Sequence, residues 1–372
     1  KNYIPVSEPL ITPRDNQELM KAVKSGWISS SGKYIQVFEK NFSKYLGVRY
    51  STTVSNGTAA LEIALKSLNL NKGDEVIIPN FTIISNALAV IKVGATPKFI
   101  DCQIDDWNMN YDEIEKKITK KTKVIIATHI YNFPCEIEKI QKLFKRKKIY
   151  LIEDAAEVLG LDFKKKKCGS FGDISTFSFY SNKQITTGEG GMISTNNKRL
   201  YEKCKNLKNL CFGKIDRFNH DDIGWNYRYT NLQAAIGFSQ LKRINSIVKK
   251  KIEIGKRYYK NLKENKKILI NPPINLNGHK NIYWVVGIVI KDKKIKAKKI
   301  SMILKEYNIE TRPFFFPMNK QKVFKKLKFN FYKEKLNNSY YISQYGLYLP
   351  SFLKLRNYQI DQICRIINHV IR

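Results

Sequence analysis

Between about residues 50 and 195, short β-branched runs alternate with helical patterns, and this alternation limits the possible folds more than any other feature of the chain. VIIP (76–79), PKFID (97–101), VIIATHI (124–130) and IYLIED (149–154) predict strands. Between them, SNALAVIKVG (85–94, closed by Gly94), DEIEKKIT (112–119) and EIEKIQKLFK (136–145) predict helices. Such a series folds into an α/β domain with a mostly parallel sheet covered by helices on both faces. Ligands on such sheets sit at the carboxyl ends of the strands. After about residue 240 the pattern changes. A long basic helical segment (QLKRINSIVKKKIEIGKRYYKNLKE) is followed by a connection, NPPINLNG, an apolar strand IYWVVGIVI (282–290), a lysine-rich helix near 296–306 and another strand. At 372 residues the chain exceeds one ordinary core. The reading is a large α/β domain over 1–250 and a smaller C-terminal α+β domain over 251–372.

The 67 Lys and Arg against 32 Asp and Glu give a formal charge of +35. Such an excess suits an anionic partner, whether nucleic acid, membrane surface or phosphorylated small molecule. The lysines are spread along the chain, however, and no helix-turn-helix, zinc-finger spacing or aromatic RNA-binding signature stands out. Solvated faces therefore account for most of the charge, and no nucleic-acid partner is expected. IYWVVGIVI is too short to span a bilayer, and KNYIPVSEPL carries no apolar leader, so no membrane attachment is expected. Six cysteines are scattered with no CxxC pair, which predicts no metal site and reduced thiols in a cytoplasmic protein.

Three stretches carry chemistry. In TTVSNGTAALEIALKSL (52–68), Leu61, Leu65 and Leu68 share one helical face, so a helix starts near Gly57 and Thr58. Its free N–H groups make an anion site, although plain N-capping by Asn56 or Thr58 explains the same residues. In LIEDAAEVLG (151–160), Asp154 and Glu157 follow an apolar strand, placing carboxylates at the ligand crevice or, alternatively, capping a helix. In STFSFYSNKQITTGEGGMI (175–193), a strand with Ser178 near its end leads to Lys183, and Gly188, Gly190 and Gly191 follow. A lysine in apolar surroundings becomes a nucleophile as its pKa falls, and a surface loop lysine is the alternative. Together, a Schiff-base lysine, an acidic partner for a pyridinium nitrogen and a helix-terminal phosphate site are the requirements of pyridoxal 5'-phosphate.

EDAAE…GDISTFSFYSNKQITTGEGGMI resembles the core of the DegT/DnrJ/EryC1/StrS family of nucleotide-sugar aminotransferases. GWISSSGKYIQVFEKNF, VSNGTAALEIAL, GDEVIIPNFT, GATPKFIDC, IGWNYRYTNLQAAIGFSQL, IETRPFFFP and YLPSF extend the likeness almost end to end. The resemblance implies the pyridoxal-phosphate-dependent aminotransferase fold of type I, with a seven-stranded sheet. It implies that Lys183 holds the cofactor and that Asp154 pairs with the ring nitrogen. Glu157, where many members have Gln, would approach the ring hydroxyl, and Ser178, Gly57 and Thr58 would hold the phosphate. Asn226 would reach the cofactor of a neighbouring subunit, making the active unit a homodimer with shared sites, and Arg228 lies in the same motif. Trp27, Ser29, Arg312 and Phe316 match segments lining the sugar-nucleotide site, and Arg228 and His220, the latter in a loop ahead of WNYR, are implied as further substrate contacts. The stretches are most similar to members that aminate C4 of GDP-4-keto-6-deoxymannose with L-glutamate as donor. A UDP- or dTDP-linked 4-keto-6-deoxyglucose and a 3-keto sugar are the alternatives. Related dehydratases carry His in place of the lysine.

Three positions depart from the family pattern. Ile83 stands where an aromatic ring usually faces the cofactor, so that either aliphatic packing replaces stacking or Phe81 supplies the ring. Asn132 replaces a usual Gly, and Asn is the residue that best tolerates positive φ after Gly. Asn319 replaces a frequent His, which bears on the choice of sugar.

Overall fold

The apolar runs of the alternating region become one sheet. Its strands are β1 (Tyr50–Val54), β2 (Glu75–Pro79), β3 (Thr96–Ile100), β4 (Thr122–Thr128), β5 (Tyr150–Asp154), β6 (Ile174–Ser178) and β7 (Gly191–Thr195). In the computed structural model, which describes residues 3–270, 275–276 and 279–371, they lie in the order β1-β7-β6-β5-β4-β2-β3. Only β7 runs against its neighbours, β1 and β6. Both faces are covered, which is why the strands read as continuous apolar runs. Ile125 and Ala127 of β4 join one core with Phe42, Phe144 and Phe177. Val124 and Ile126, pointing the other way, join a second core with Leu61, Ile78 and Ile174.

Helices α1 (Pro13–Lys24) and α2 (Lys33–Leu46) precede the sheet, and α3 (Gly57–Ser67) follows β1 directly. The start of α3 is capped and still leaves room for an anion. The Asn56 side chain caps it, accepting the Ala59 N–H at 2.8 Å, while the N–H groups of Gly57 and Thr58 have no acceptor among the described residues. The connection between β1 and α3 lies against the end of β6, because Gly57 has no side chain. A Cβ there would stand 2.9 Å from the Ser178 Cβ.

The C-terminal part differs from the sequence expectation in detail. The basic segment from 240 is two helices, Asn231–Leu241 and Ile244–Leu262. Arg243 leaves helical geometry at the break and directs its guanidinium to the Leu10 carbonyl and Asp15. The strand expected over 282–290 covers only Val286–Ile290. Tyr283 takes a positive φ of 50° with its N–H held by the Asn281 side chain at 2.7 Å, which delays the start of the extended run. Most of NPPINLNG lies outside the described residues. β8 (Ile268–Ile270), β9 (Val286–Ile290), β10 (Arg312–Pro313) and β11 (Gly346–Leu349) form an antiparallel sheet in the order β8-β9-β11-β10. Its core takes Ile4 from the N-terminal segment. The helix Ile244–Leu262 ties the two parts together, with Ile247 in the core of the large sheet and Ile254 and Tyr258 in that of the small one. Among the described residues no helix is long and apolar enough to cross a membrane.

Candidate active site

The carboxyl ends of β5 and β6 and the start of α3 open into one cavity of about 690 Å³, a size suited to a cofactor and a small substrate. Lys183, Asp154, Glu157, Ser178, Gly57 and Thr58 all line it. The strand β6 stops at Ser178, and a tight turn then carries Lys183 to the cavity, its N–H bonded to the Tyr180 carbonyl at 2.9 Å.

Lys183 reaches into the cavity with its Nζ 3.7 Å from the centroid of the Trp284 ring. Burial pushes its ammonium pKa down, against the pull of Glu157 and Asp154. Asp154, the last residue of β5, is almost fully buried. Its Oδ2 accepts the Asn86 amide at 3.0 Å and its Oδ1 the Ala156 N–H at 3.2 Å. Burial raises the Asp154 carboxyl pKa, and a cationic group in the cavity would relieve that penalty. The Thr58 hydroxyl bonds that of Ser85 at 2.8 Å, and the buried Thr176 hydroxyl in the cavity wall lacks a partner among the described residues.

These features fit pyridoxal phosphate. Unsatisfied N–H groups at a helix start suit a phosphate, and a buried carboxylate without a cationic partner suits a pyridinium nitrogen. Lys183 likewise has no carboxylate within bonding reach among the described residues.

Other expected residues lie elsewhere. Phe81 does not line the cavity. It is fully buried and packs edge-on against Tyr131 and Phe315, with Phe314 beside it. Ile83, 45 % exposed, takes the cavity-facing place instead. Asn226 and Arg228 bond each other at 2.8 Å and do not line this cavity. His220 is exposed, bonded to the Leu210 carbonyl and packed on Phe212. Trp27 and Phe316 are exposed, and the backbone carbonyls of Trp27 and Ser29 are held by Asn231. Arg312, paired with Glu310 at 2.9 Å, lines an adjoining cavity of about 140 Å³ that shares Tyr180, Asn182, Trp284 and Tyr348 with the main one. Asn132 holds a φ of 73°, as its replacement of a glycine requires. Asn319 is buried away from the cavity, exchanging hydrogen bonds with Asn80 and donating to the Glu334 carbonyl. Tyr180 and Tyr348 stand in STFSFYSNK and YLPSF, and Asn86 and Trp284 in plain helix and strand patterns, but none carries a site signal of its own. Only their packing onto the two strand ends reveals them.

Sheet order and cavity together define a pyridoxal-phosphate-dependent aminotransferase of fold type I. Residues 9–368 match the DegT/DnrJ/EryC1/StrS aminotransferase family, and the chain belongs to that family as a pyridoxal-phosphate-dependent sugar aminotransferase. It is 40% identical over 366 residues to the GDP-perosamine synthase of Escherichia coli O157:H7, covering 98% of each chain. Identity to the GDP-perosamine synthase of Vibrio cholerae is 38% over 375 residues, again covering 98% of both. Among solved structures it superposes on Helicobacter pylori PseC, an aminotransferase involved in the biosynthesis of pseudoaminic acid. The TM-score is 0.93 at 26% identity, over 100% of this chain and 99% of that one.

Proposed function

We propose that the chain transfers the amino group of L-glutamate to the C4 keto carbon of a nucleotide-linked 4-keto-6-deoxy sugar, turning GDP-4-keto-6-deoxy-D-mannose into GDP-perosamine. The observation that carries the chemistry is the meeting of Lys183, the Asn86-held Asp154 and the open start of α3 in one cavity. The likeness to two GDP-perosamine synthases over nearly the whole chain supports the choice of sugar.

Lys183 holds the cofactor covalently. Once displaced, it moves a proton from the α-carbon of glutamate and later delivers one to C4 of the sugar, general acid–base work that a lowered lysine pKa favours. Pyridoxal phosphate, when bound, supplies the electron sink for the carbanion that proton removal leaves. Asp154 keeps the ring nitrogen protonated, and Asn86 fixes the direction of its Oδ2. The Gly57 and Thr58 amides and the Ser178 hydroxyl would hold the phosphate, and Ile83, which lines the same cavity, would offer an aliphatic face in place of an aromatic. Arg312, at the adjoining cavity, meets an anionic group of the substrate. Trp27, Ser29, Phe316 and His220 stand on surfaces where a nucleotide or a second subunit would complete the site. The outward placement of Asn226 and Arg228 supports a homodimer in which each subunit reaches the other's cofactor. Six buried free cysteines suit the reducing cytoplasm.

Lys183 stands where the dehydratase reading needs a histidine. The test is product analysis of the loaded enzyme with glutamate and one sugar nucleotide at a time. GDP-4-keto-6-deoxymannose should give the 4-amino sugar and stoichiometric 2-oxoglutarate. Turnover confined to a dTDP- or UDP-linked sugar would overturn the substrate, and a deoxy product without nitrogen would overturn the reaction.

A further inference from the structure

Beside Asp154 the cavity wall carries another deeply buried carboxylate, Glu157, 4 % exposed. Its Oε2 accepts the Tyr131 N–H at 2.7 Å, and its Oε1 has no partner among the described residues. The N–H that holds Oε2 comes from an unusual turn, in which Tyr131 and Asn132 take positive φ of 46° and 73° in succession. Gln184, next to Lys183, clamps the turn. Its amide donates to Asn132 Oδ1 at 3.2 Å and to the Glu157 carbonyl at 2.7 Å. The carboxyl group is therefore fixed on one side and open on the other.

The carbon of pyridoxal phosphate that bonds a lysine lies opposite the ring nitrogen. Its two ring neighbours bear the phosphate arm on one side and an ionisable hydroxyl on the other. The family resemblance sets Glu157 toward the edge carrying the anionic ring oxygen, and Glu157 lines the same cavity as Lys183, Asp154 and the start of α3. An ionised Glu157 there would repel that oxygen, whereas a neutral carboxyl would donate to it. We propose that Glu157 serves as a neutral carboxylic acid whose Oε1 proton is donated to the ring oxygen of the bound cofactor, so that cofactor affinity has an alkaline limit set by this residue. This rests on the cofactor reading above.

The surroundings agree. Burial pushes the Glu157 pKa up to about 7, against the pull of Lys183 and the Tyr131 N–H. The other titratable groups facing it are Asp154, His129, and the Tyr131 and Tyr348 hydroxyls. Asp154 opposes ionisation of Glu157. His129 Nδ1 accepts the Cys135 N–H, so its ring proton sits on Nε2 and goes to Glu153. Below its pKa Glu157 can donate. Above it the donor is lost and replaced by a like charge. A glutamine donates at every pH.

The experiment measures the dissociation constant of pyridoxamine 5'-phosphate, which needs no bond to Lys183, for the full-length wild type, Glu157→Gln and Glu157→Ala. Relative to Glu157→Gln, the wild type should lose at least about tenfold in affinity between pH about 6 and about 9. Glu157→Ala should be weak throughout. Matching melting temperatures without cofactor show that all three fold. Wild-type and Glu157→Gln profiles that stay parallel would overturn the proposal. Binding by none of the three at any pH would instead sink the cofactor reading beneath it.

Discussion

Asp154 owes its direction to a residue 68 positions away, since Asn86 donates to its Oδ2 at 3.0 Å inside the core. Losing a hydrogen bond to a charged group costs about 1.5–3 kcal/mol. Asn86→Ala should therefore lower kcat by roughly ten- to a hundredfold, with the cofactor's visible absorbance altered as well. A kcat within twofold of wild type would show that Asp154 needs no such support. Lys183, Asp154, Glu157, Ser178, Gly57 and Thr58 could be read from the sequence because each sits in a short run with its own strand-end or helix-start signal. Asn86 and Trp284 could not, because only tertiary packing brings Asn86 to Asp154 and Trp284 to the cavity. Phe81 and Ile83 stay alternatives in the sequence for a related reason: it shows an aromatic two residues from Ile83, but not which of the two faces the cavity.

At the scale of elements, the start of α3 against β6 is the joint on which the proposed phosphate site depends. In Gly57→Ala the new Cβ would meet the Ser178 Cβ at 2.9 Å and its Oγ at 3.3 Å. Overpacking of this kind costs about 1–3 kcal/mol, and the displaced amides should weaken cofactor binding in an equilibrium titration. Unchanged affinity would remove this joint from the site. Gly255 makes a contrasting case beside the core of the smaller sheet: a Cβ there would clash with the Tyr283 ring. Gly255→Ala should lower the melting temperature through the same overpacking and leave the visible absorbance of the bound cofactor in place. The alternating strands and helices were legible because each carries a complete period of its own pattern. The break at 242–243 and the late start of the 282–290 run were not. Arg243 is drawn out by Asp15 in another helix, and Tyr283 is turned by a side-chain bond from Asn281.

Across the whole molecule, +35 is the feature least explained by fold. A positive field raises the encounter rate with an anionic sugar nucleotide and is screened by salt. Raising ionic strength should lower kcat/KM for the nucleotide substrate while leaving kcat unchanged, and an unchanged kcat/KM would leave the charge without a catalytic role. We propose 1–250 and 251–372 as the two units, with the helix Ile244–Leu262 as their shared spine. The most direct test of the chemistry assigned to Lys183 is an absorbance spectrum of the purified protein with pyridoxal phosphate, before and after adding glutamate, beside Lys183→Ala. The wild type should show the visible band of a lysine-bound cofactor, which bleaches with glutamate and returns with the correct keto sugar, and the variant should lack that band. A wild type that stays colourless with the cofactor present, or a variant with the same band and the same bleaching, would contradict it.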